Sequence, residues 1–400
     1  MLNFQMTFQK IQLAILSPSA KAVSGTPTPR PKTNALHAAA IAVVVASACA
    51  GSALWPGQAV AQAKPLKKVT IVVGSQVINV AYPWLTLPVA KGYWRDEGYD
   101  VQVVGVSGSA AGLQQLAGGG VEFAQLNSTG LVQANTETQL PVRGVMGNGV
   151  IDWGLGVIDG SPIKSVADFK GKKIGIVSLA TGGVPLLKGM LRSNGLNPDT
   201  DVQIIAVGAG AQALDTLKSD RVQGLMFWQS ALTGFENAGT KLQIFRSPQW
   251  RGMPDFTLGT LQKTIDTDPA MVEAIARGAA KATLFAMTNP ECARKIHWAK
   301  YPATKPTGAD ESTLQKWDLA LLNAQLDTMK DAFKMNGGKL IGAMDVNAYS
   351  RFQDFMFDEK LITRKLPPAT FIINKPGFAE AVNRFDEKAV IADAKACKDI

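Results

Sequence analysis

The chain has 400 residues, 46% of them hydrophobic and 18% charged, with 38 glycines, 21 prolines, three cysteines and a formal net charge of +9. That balance is ordinary for a globular protein of about two domains and excludes disordered, collagen-like and disulfide-framework classes. The two histidines, His37 and His297, are too few for Ser-His-Asp hydrolases, His-ligated zinc proteases or Cys-His nucleophile systems.

Residues 1–63 read as an export leader. Lys10, Lys21, Arg30 and Lys32 lie there without any acid and supply four of the nine net positive charges. The apolar stretch ALHAAAIAVVVASACA runs from Ala35 to Ala50, shorter than the roughly 20 residues needed to span a bilayer. Trp55-Pro56-Gly57 then breaks a helix, and Ala61-Gln62-Ala63 precedes Lys64. A positive flank, a short apolar core and an A-x-A site form the secretory pattern, so cleavage after Ala63 and a periplasmic location are expected. Two other readings are a lipidated Cys49 and an uncleaved membrane anchor. An over-extended start is a further alternative, although no Met lies between Met6 and Met146. Export would leave Cys292 and Cys397 in an oxidising space, either as a disulfide or as two unpaired thiols.

Past the leader, short β-branched runs alternate with helical segments. The strands are Val69–Gly74, Val101–Val106, Val121–Leu126 and PVRGVM; between them fall helices over Trp84–Trp94, Ala110–Ala117 and Thr129–Glu137. The alternation restarts after Trp153, with strands Lys172–Val177, Val202–Val207, Val222–Trp228 and Leu242–Arg246, and helices Gly182–Ser193 and Ala211–Lys218. This order predicts two α/β units in tandem, each with a mostly parallel sheet. From Pro269 onward only helices are predicted, starting at Asp268-Pro269, Pro290, about Asp310, Asp345 and Pro376. A helical tail without its own sheet must pack back on the first unit. The pairs Lys67-Lys68 and Lys172-Lys173 read as solvated strand-edge residues, and no basic stripe suggests nucleic acid.

Four segments carry a family resemblance. GYWRDEGYDVQVV (Gly92 to Val104) has the helix-end, turn and "EG-x-D-V" arrangement of solute-binding proteins of the nitrate/sulfonate/taurine transport type, and SPIKSVADFKGKKIGI (Ser161 to Ile176) resembles that family's entry to its second lobe. LKSDRVQGLMFWQSA (Leu217 to Ala231) is similar to its "L-x-S-G-x-V-D-A" segment, with Gln223 where an acid is usual; GGGVEFAQLNST (Gly118 to Thr129) is a first-lobe copy with Glu122 in the acidic place. The larger family includes proteins similar to thiamine-pyrimidine precursor synthases, whose cysteine-rich motif is absent here. The resemblance implies an α/β type II periplasmic-binding fold, with lobe 1 formed by 64–156 and 258–400 and lobe 2 by 157–257. It further implies a non-enzymatic protein, expected as a monomer, that delivers a small solute to an ABC permease.

In open α/β sheets, ligands lie beyond the carboxyl ends of the strands. That rule selects Gln76, Asn79, Tyr82 and Trp84 after the first strand, Ser107 and Ser109 after the second, and Asn127 and Ser128 after the third. In the second unit it selects Ser178, Thr181 and Gly182, then Trp228, with Trp153 beside the crossing. Small hydroxyl or glycine residues at helix starts offer free N–H groups to an anion, or simply cap their helices. Tyr82, Trp84, Trp153 and Trp228 are candidate stacking walls, whereas Trp94 and Trp317 read as core. Asp152 and Asp255 stand near the crossings, either to bond a ligand amine or hydroxyl or to brace the hinge. His297 reads as an ordinary partly buried tail residue.

No Walker motif, G-x-G-x-x-G after a strand or H-E-x-x-H occurs, and Gly118-Gly119-Gly120 precedes a strand, as a turn does. No metal and no cofactor are therefore expected. The expected solute is a small organic anion or heterocycle: a sulfonate, an aromatic carboxylate or a pyrimidine-like ring. The alternatives are an enzyme on the same fold, such as a lyase or pyrimidine-precursor synthase, and a ligand-loaded partner of a membrane sensor.

Overall fold

The computed structural model describes residues 65–398. The leader, Cys49 and His37 lie outside them. The first half-chain folds as β1 (Lys67–Val73), α1 (Pro83–Ala90), α2 (Tyr93–Asp96), β2 (Tyr99–Gly105), α3 (Ser109–Ala117), β3 (Phe123–Leu126), α4 (Ser128–Thr136) and β4 (Val142–Val150). The chain continues as β5 (Gly154–Ile158), β6 (Lys172–Ile176), α5 (Gly183–Ser193), β7 (Val202–Ala206), α6 (Ala211–Lys218), β8 (Gly224–Phe227), α7 (Gln229–Asn237), β9 (Leu242–Phe245) and β10 (Pro254–Leu261).

Two five-stranded sheets result, ordered β2-β1-β3-β10-β4 and β7-β6-β8-β5-β9. The β-branched runs set the parallel parts. Strand β1 pairs in parallel with β2 and β3, and β6 with β7 and β8; helices cover such sheets, which explains the near-continuous Val/Ile composition of the central strands. The expectation of mostly parallel sheets needs correction, because β10 runs antiparallel to β3 and β4, and β5 antiparallel to β8 and β9. The cause lies in the crossings. The chain leaves the first sheet through β4, enters the second directly through β5 and returns through β10, so strands form where loops were expected. Both changes of sheet fall a few residues earlier than the expected lobe boundaries.

The predicted helix over Trp84–Trp94 is two helices, separated by Lys91 and by Gly92 at φ 75°. Trp84 and Trp94 are each 1% exposed. They pack in the first hydrophobic core with Val272, Ile275 and Ala279 of the tail.

The tail contains α8 (Gln262–Thr267), α9 (Pro269–Thr288), α10 (Pro290–Lys300), α11 (Glu311–Met335), α12 (Val346–Asp358), α13 (Phe378–Val382) and α14 (Glu387–Ala396). Its starts follow side-chain caps: Asp268 accepts from Met271 N, Asn289 from Cys292 N, Asp310 from Thr313 N and Asp345 from Asn347 N, each worth about 1 kcal/mol. Helix α9 packs on α1, α2 and the first sheet, and the Trp94 indole of α2 donates to Ile275 O at 2.9 Å. Two tail helices also reach the second lobe. Asn237 of α7 donates to Trp317 O at 3.1 Å, so Trp317, half-buried, lies beside the second lobe and outside the core. Phe352 and Phe355 of α12 share a core with Leu186, Leu187 and Met190 of α5. Cys292 and Cys397 form a disulfide that ties α10 to the end of α14.

Candidate functional site

The strand-end loops of both sheets converge where the lobes meet, and the lobes touch there directly. Thr129 donates its hydroxyl to Gly182 O at 2.9 Å, and Ala110 N donates to Ala180 O at 3.2 Å. Residues 182 and 183 must be glycine for this approach. A Cβ on Gly182 would stand 2.3 Å from the Asn127 Cβ, and one on Gly183 would stand 2.2 Å from the Trp153 ring.

Asp255, at the start of β10, is the centre of this junction. Its carboxylate accepts from the Asn127 side-chain amide at 3.0 Å, from Ser128 N at 2.9 Å and from the Trp153 indole at 3.1 Å. Ser109 extends the network, donating to Asn127 Oδ1 at 3.1 Å and accepting from Asn127 N at 2.9 Å. The Ser128 hydroxyl lies within bonding distance of Thr257 and of Tyr349 from α12. Burial pushes Asp255 up to about 6 against the pull of these donors. A carboxylate so fully partnered is a brace. Its neighbour Phe256 has φ 45°, a region costly for a bulky side chain, so the surrounding packing holds this turn of β10 against local strain.

Asp152 differs. It lies on the other crossing and is 2% exposed; its Oδ2 accepts from Gln229 N at 3.2 Å, while Oδ1 has no hydrogen-bond partner within the described residues. Gln229 opens α7, so the carboxyl sits at the positive end of that helix. Burial, followed by the charge of Asp255, nonetheless raises Asp152 to about 7. Tyr82, whose phenol is raised to about 12 by burial, is relieved by Ser75 and feels the Asp152 charge. Trp228 stands beside this corner, half-buried, its ring 5.5 Å from Trp153 in an edge-on arrangement.

The residues selected from sequence therefore divide into three groups. Gln76, Asn79, Ser107, Ser178 and Trp228 retain surface at the junction. Gln76 donates to the Ser107 hydroxyl at 3.0 Å, Ser178 reaches Ser107 O across the lobes at 3.4 Å, and Asn79 accepts from Ala81 N in a local turn. Tyr82 and Thr181 are nearly covered. Ser109, Asn127, Ser128 and Trp153 are buried in the network around Asp255, and Gly182 accepts the cross-lobe bond from Thr129. Trp84 falls outside these groups: the expectation that it forms a stacking wall is corrected to a core position, since α9 closes over the helix that carries it. His297 is buried in the tail between Thr86 and Thr304, its imidazole lowered to about 4 by burial.

A groove of about 720 Å³ flanks the lobe contact, walled by Leu113 and Leu140 on one side and by Leu179, Val184 and Pro185 on the other. Sequence reasoning missed this groove, Gln229 and Tyr349. The place of Gln229 in the first turn of a helix that follows a strand was the available signal for it; nothing local marks Tyr349.

Comparison with known proteins follows the same lines. No curated protein matches the chain. A structure from Bordetella bronchiseptica RB50 is 21% identical and superposes with a TM-score of 0.63 over 79% of this chain and 96% of its own. The periplasmic aliphatic sulphonate-binding protein SsuA of Escherichia coli is 14% identical, with a TM-score of 0.55 over 76% of this chain and 97% of its own. A cysteine-to-serine mutant of the enzyme DszB, solved with biphenyl-2-sulfinic acid, is 14% identical, with a TM-score of 0.52 over 80% and 99%. These likenesses establish the fold as α/β with two lobes around a cleft, the periplasmic-binding type expected from the sequence. The NMT1/THI5-like family model matches residues 85–293, a span from the first helix through the whole second sheet, and the chain belongs to the NMT1/THI5-like family.

Proposed function

We propose that the protein is an extracytoplasmic solute-binding component of an ABC importer. It captures a small organic anion or heterocycle (a sulfonate, an aromatic carboxylate or a pyrimidine-like ring) between its lobes and presents the closed form to a membrane permease. The observation that carries this reading is the meeting of strand-end loops from both sheets at one junction, bridged by hydrogen bonds from Thr129 and Ala110. Lobe 1 would comprise 64–156 with the tail from 258, and lobe 2 would comprise 157–257, with strands β5 and β10 running across the two boundaries. Gln76, Asn79, Tyr82, Ser107, Ser178, Thr181 and Trp228 would face the solute, with Ser109, Asn127, Ser128, Trp153 and Gly182 shaping the floor. Export through the leader and action as a periplasmic monomer belong to the same proposal. Among the described residues no helix is long and apolar enough to cross a membrane.

An enzyme on the same fold is the second reading, favoured by the likeness to DszB. Against it, the two described cysteines are joined in a disulfide and His297 lies away from the junction. Titration calorimetry against organic anions and heterocycles, with mass spectrometry of each compound afterwards, separates the two. Saturable binding with the compound recovered unchanged supports the binder, and turnover overturns it.

A further inference from the structure

Within a binder of this kind, on whose reading the inference rests, the chemistry of the junction narrows the solute. Two carboxylates are buried at the crossings, Asp152 and Asp255, each 2% exposed. Asp255 spends both oxygens on Asn127, Ser128 and Trp153. Asp152 spends one on Gln229 N and, among the described residues, keeps Oδ1 without a partner. A buried acceptor left unpaired is costly, so its retention beside solute-facing loops needs a reason. The nearby cations do not satisfy it. Arg246 turns to Gln229 Oε1 and Arg251 to Asp331, both at the surface. Among the described residues no Lys or Arg bonds either carboxylate, and none of the loop residues selected for solute contact is basic. An anionic group brought to this corner would meet two buried acidic side chains and no buried cation. A donor would meet an oxygen ready to accept, with the half-buried Trp228 ring, next in the chain to Gln229, as a wall.

We propose that the solute donates an N–H group to Asp152 Oδ1, and is therefore an aromatic amine, amidine or N–H heterocycle, with any sulfonate or carboxylate it carries directed away from this corner. Such a charge-assisted bond is about twice as strong as a neutral one, and it replaces an unsatisfied atom, so it contributes most when the lobes are closed.

The test is calorimetry of the purified protein with three probes that share a six-membered ring: benzamidine, 4-aminopyrimidine and benzenesulfonate. At least one N–H probe is expected to bind tenfold or more tightly than benzenesulfonate, and Asp152→Asn is expected to weaken that binding at least tenfold, equivalent to about 1.4 kcal/mol. The ranking in the unsubstituted protein stands independently of how the variant folds, and a thermal melt of Asp152→Asn checks its fold. The inference is overturned if neither N–H probe binds, if benzenesulfonate binds most tightly, or if a folded Asp152→Asn retains full affinity for the N–H probe. Preference for benzenesulfonate would leave the binder reading standing. Chemical conversion of an N–H probe would overturn the binder reading while leaving the contact to Asp152 supported.

Discussion

The Trp153 indole donates to Asp255 at 3.1 Å, joining the two chain crossings through one hydrogen bond. Trp153 stands where the chain passes into the second sheet, and Asp255 where it returns to the first. The same carboxylate holds the first turn of α4 through Asn127 and Ser128. One side chain thus fixes both crossings relative to the first-lobe loops.

Removing that brace strands several buried donors. Asp255→Ala leaves the Asn127 amide, Ser128 N and the Trp153 indole without their acceptor, at about 1–3 kcal/mol for each group that finds no water. The melting temperature is expected to fall by about 5–10 °C, since roughly 2–4 °C accompanies each kcal/mol in a protein of this size class or somewhat smaller. An unchanged melt would show that the network contributes nothing.

Asp152 gives a pH dependence of defined sign. Its folded value of about 7 lies above the ordinary 3.8, so the folded chain binds more protons than the unfolded chain between those values. The contribution of Asp152 to the stability of the unliganded protein therefore falls as pH rises from about 4 to about 7 and levels off above. His297, lowered to about 4 by burial, contributes in the opposite sense over the lower part of that range. Asp255, raised to about 6, acts in the same direction as Asp152; Arg246, Arg251 and the Gln229 N–H oppose it. Asp152→Asn escapes its share of this loss, so its melting temperature should gain on that of the unsubstituted protein between pH 5 and pH 8. Parallel melting curves across that range would contradict the burial of an ionising Asp152.

Aromatic residues near the junction should separate by role. Trp228→Ala is expected to weaken binding of the co-purified solute at least tenfold with little change in melting, because stacking and ring burial together exceed about 1.4 kcal/mol. Trp84→Ala is expected to cost about 3–5 kcal/mol of stability, as a truncated core ring does. A Trp228→Ala variant that binds normally but melts several degrees lower would assign that ring to the core.

The disulfide spans 105 residues, for which the chain-entropy model gives about 4.7 kcal/mol. Cys397→Ser should lower the melting temperature and raise hydrogen exchange in α14, the helix whose end it anchors. Equal melting and exchange in the variant would show that packing of Val390 and Ala394 already holds α14 in place.

The parallel strands and tail helices were legible because β-branched runs, capping residues and proline act over a few positions. Strands β4 and β10 were less so: the glycines in VRGVMGNGV and PDFTLGTL dilute the strand pattern, and their antiparallel pairing is set by partners about a hundred residues away. Trp84 and Trp228 look alike in sequence, each next to a strand-end loop. Only the covering of α1 by α9 makes one of them core. Asp152 and Asp255 are likewise equivalent until distant donors are counted, and the count makes one a brace and leaves the other an acceptor to spare.

Mass spectrometry of the protein isolated from its native compartment tests the central claim most directly. The account predicts one small molecule per chain, released unchanged on denaturation and rebound unchanged when returned to fresh protein. Conversion of that molecule into a different compound during incubation would contradict a binding role.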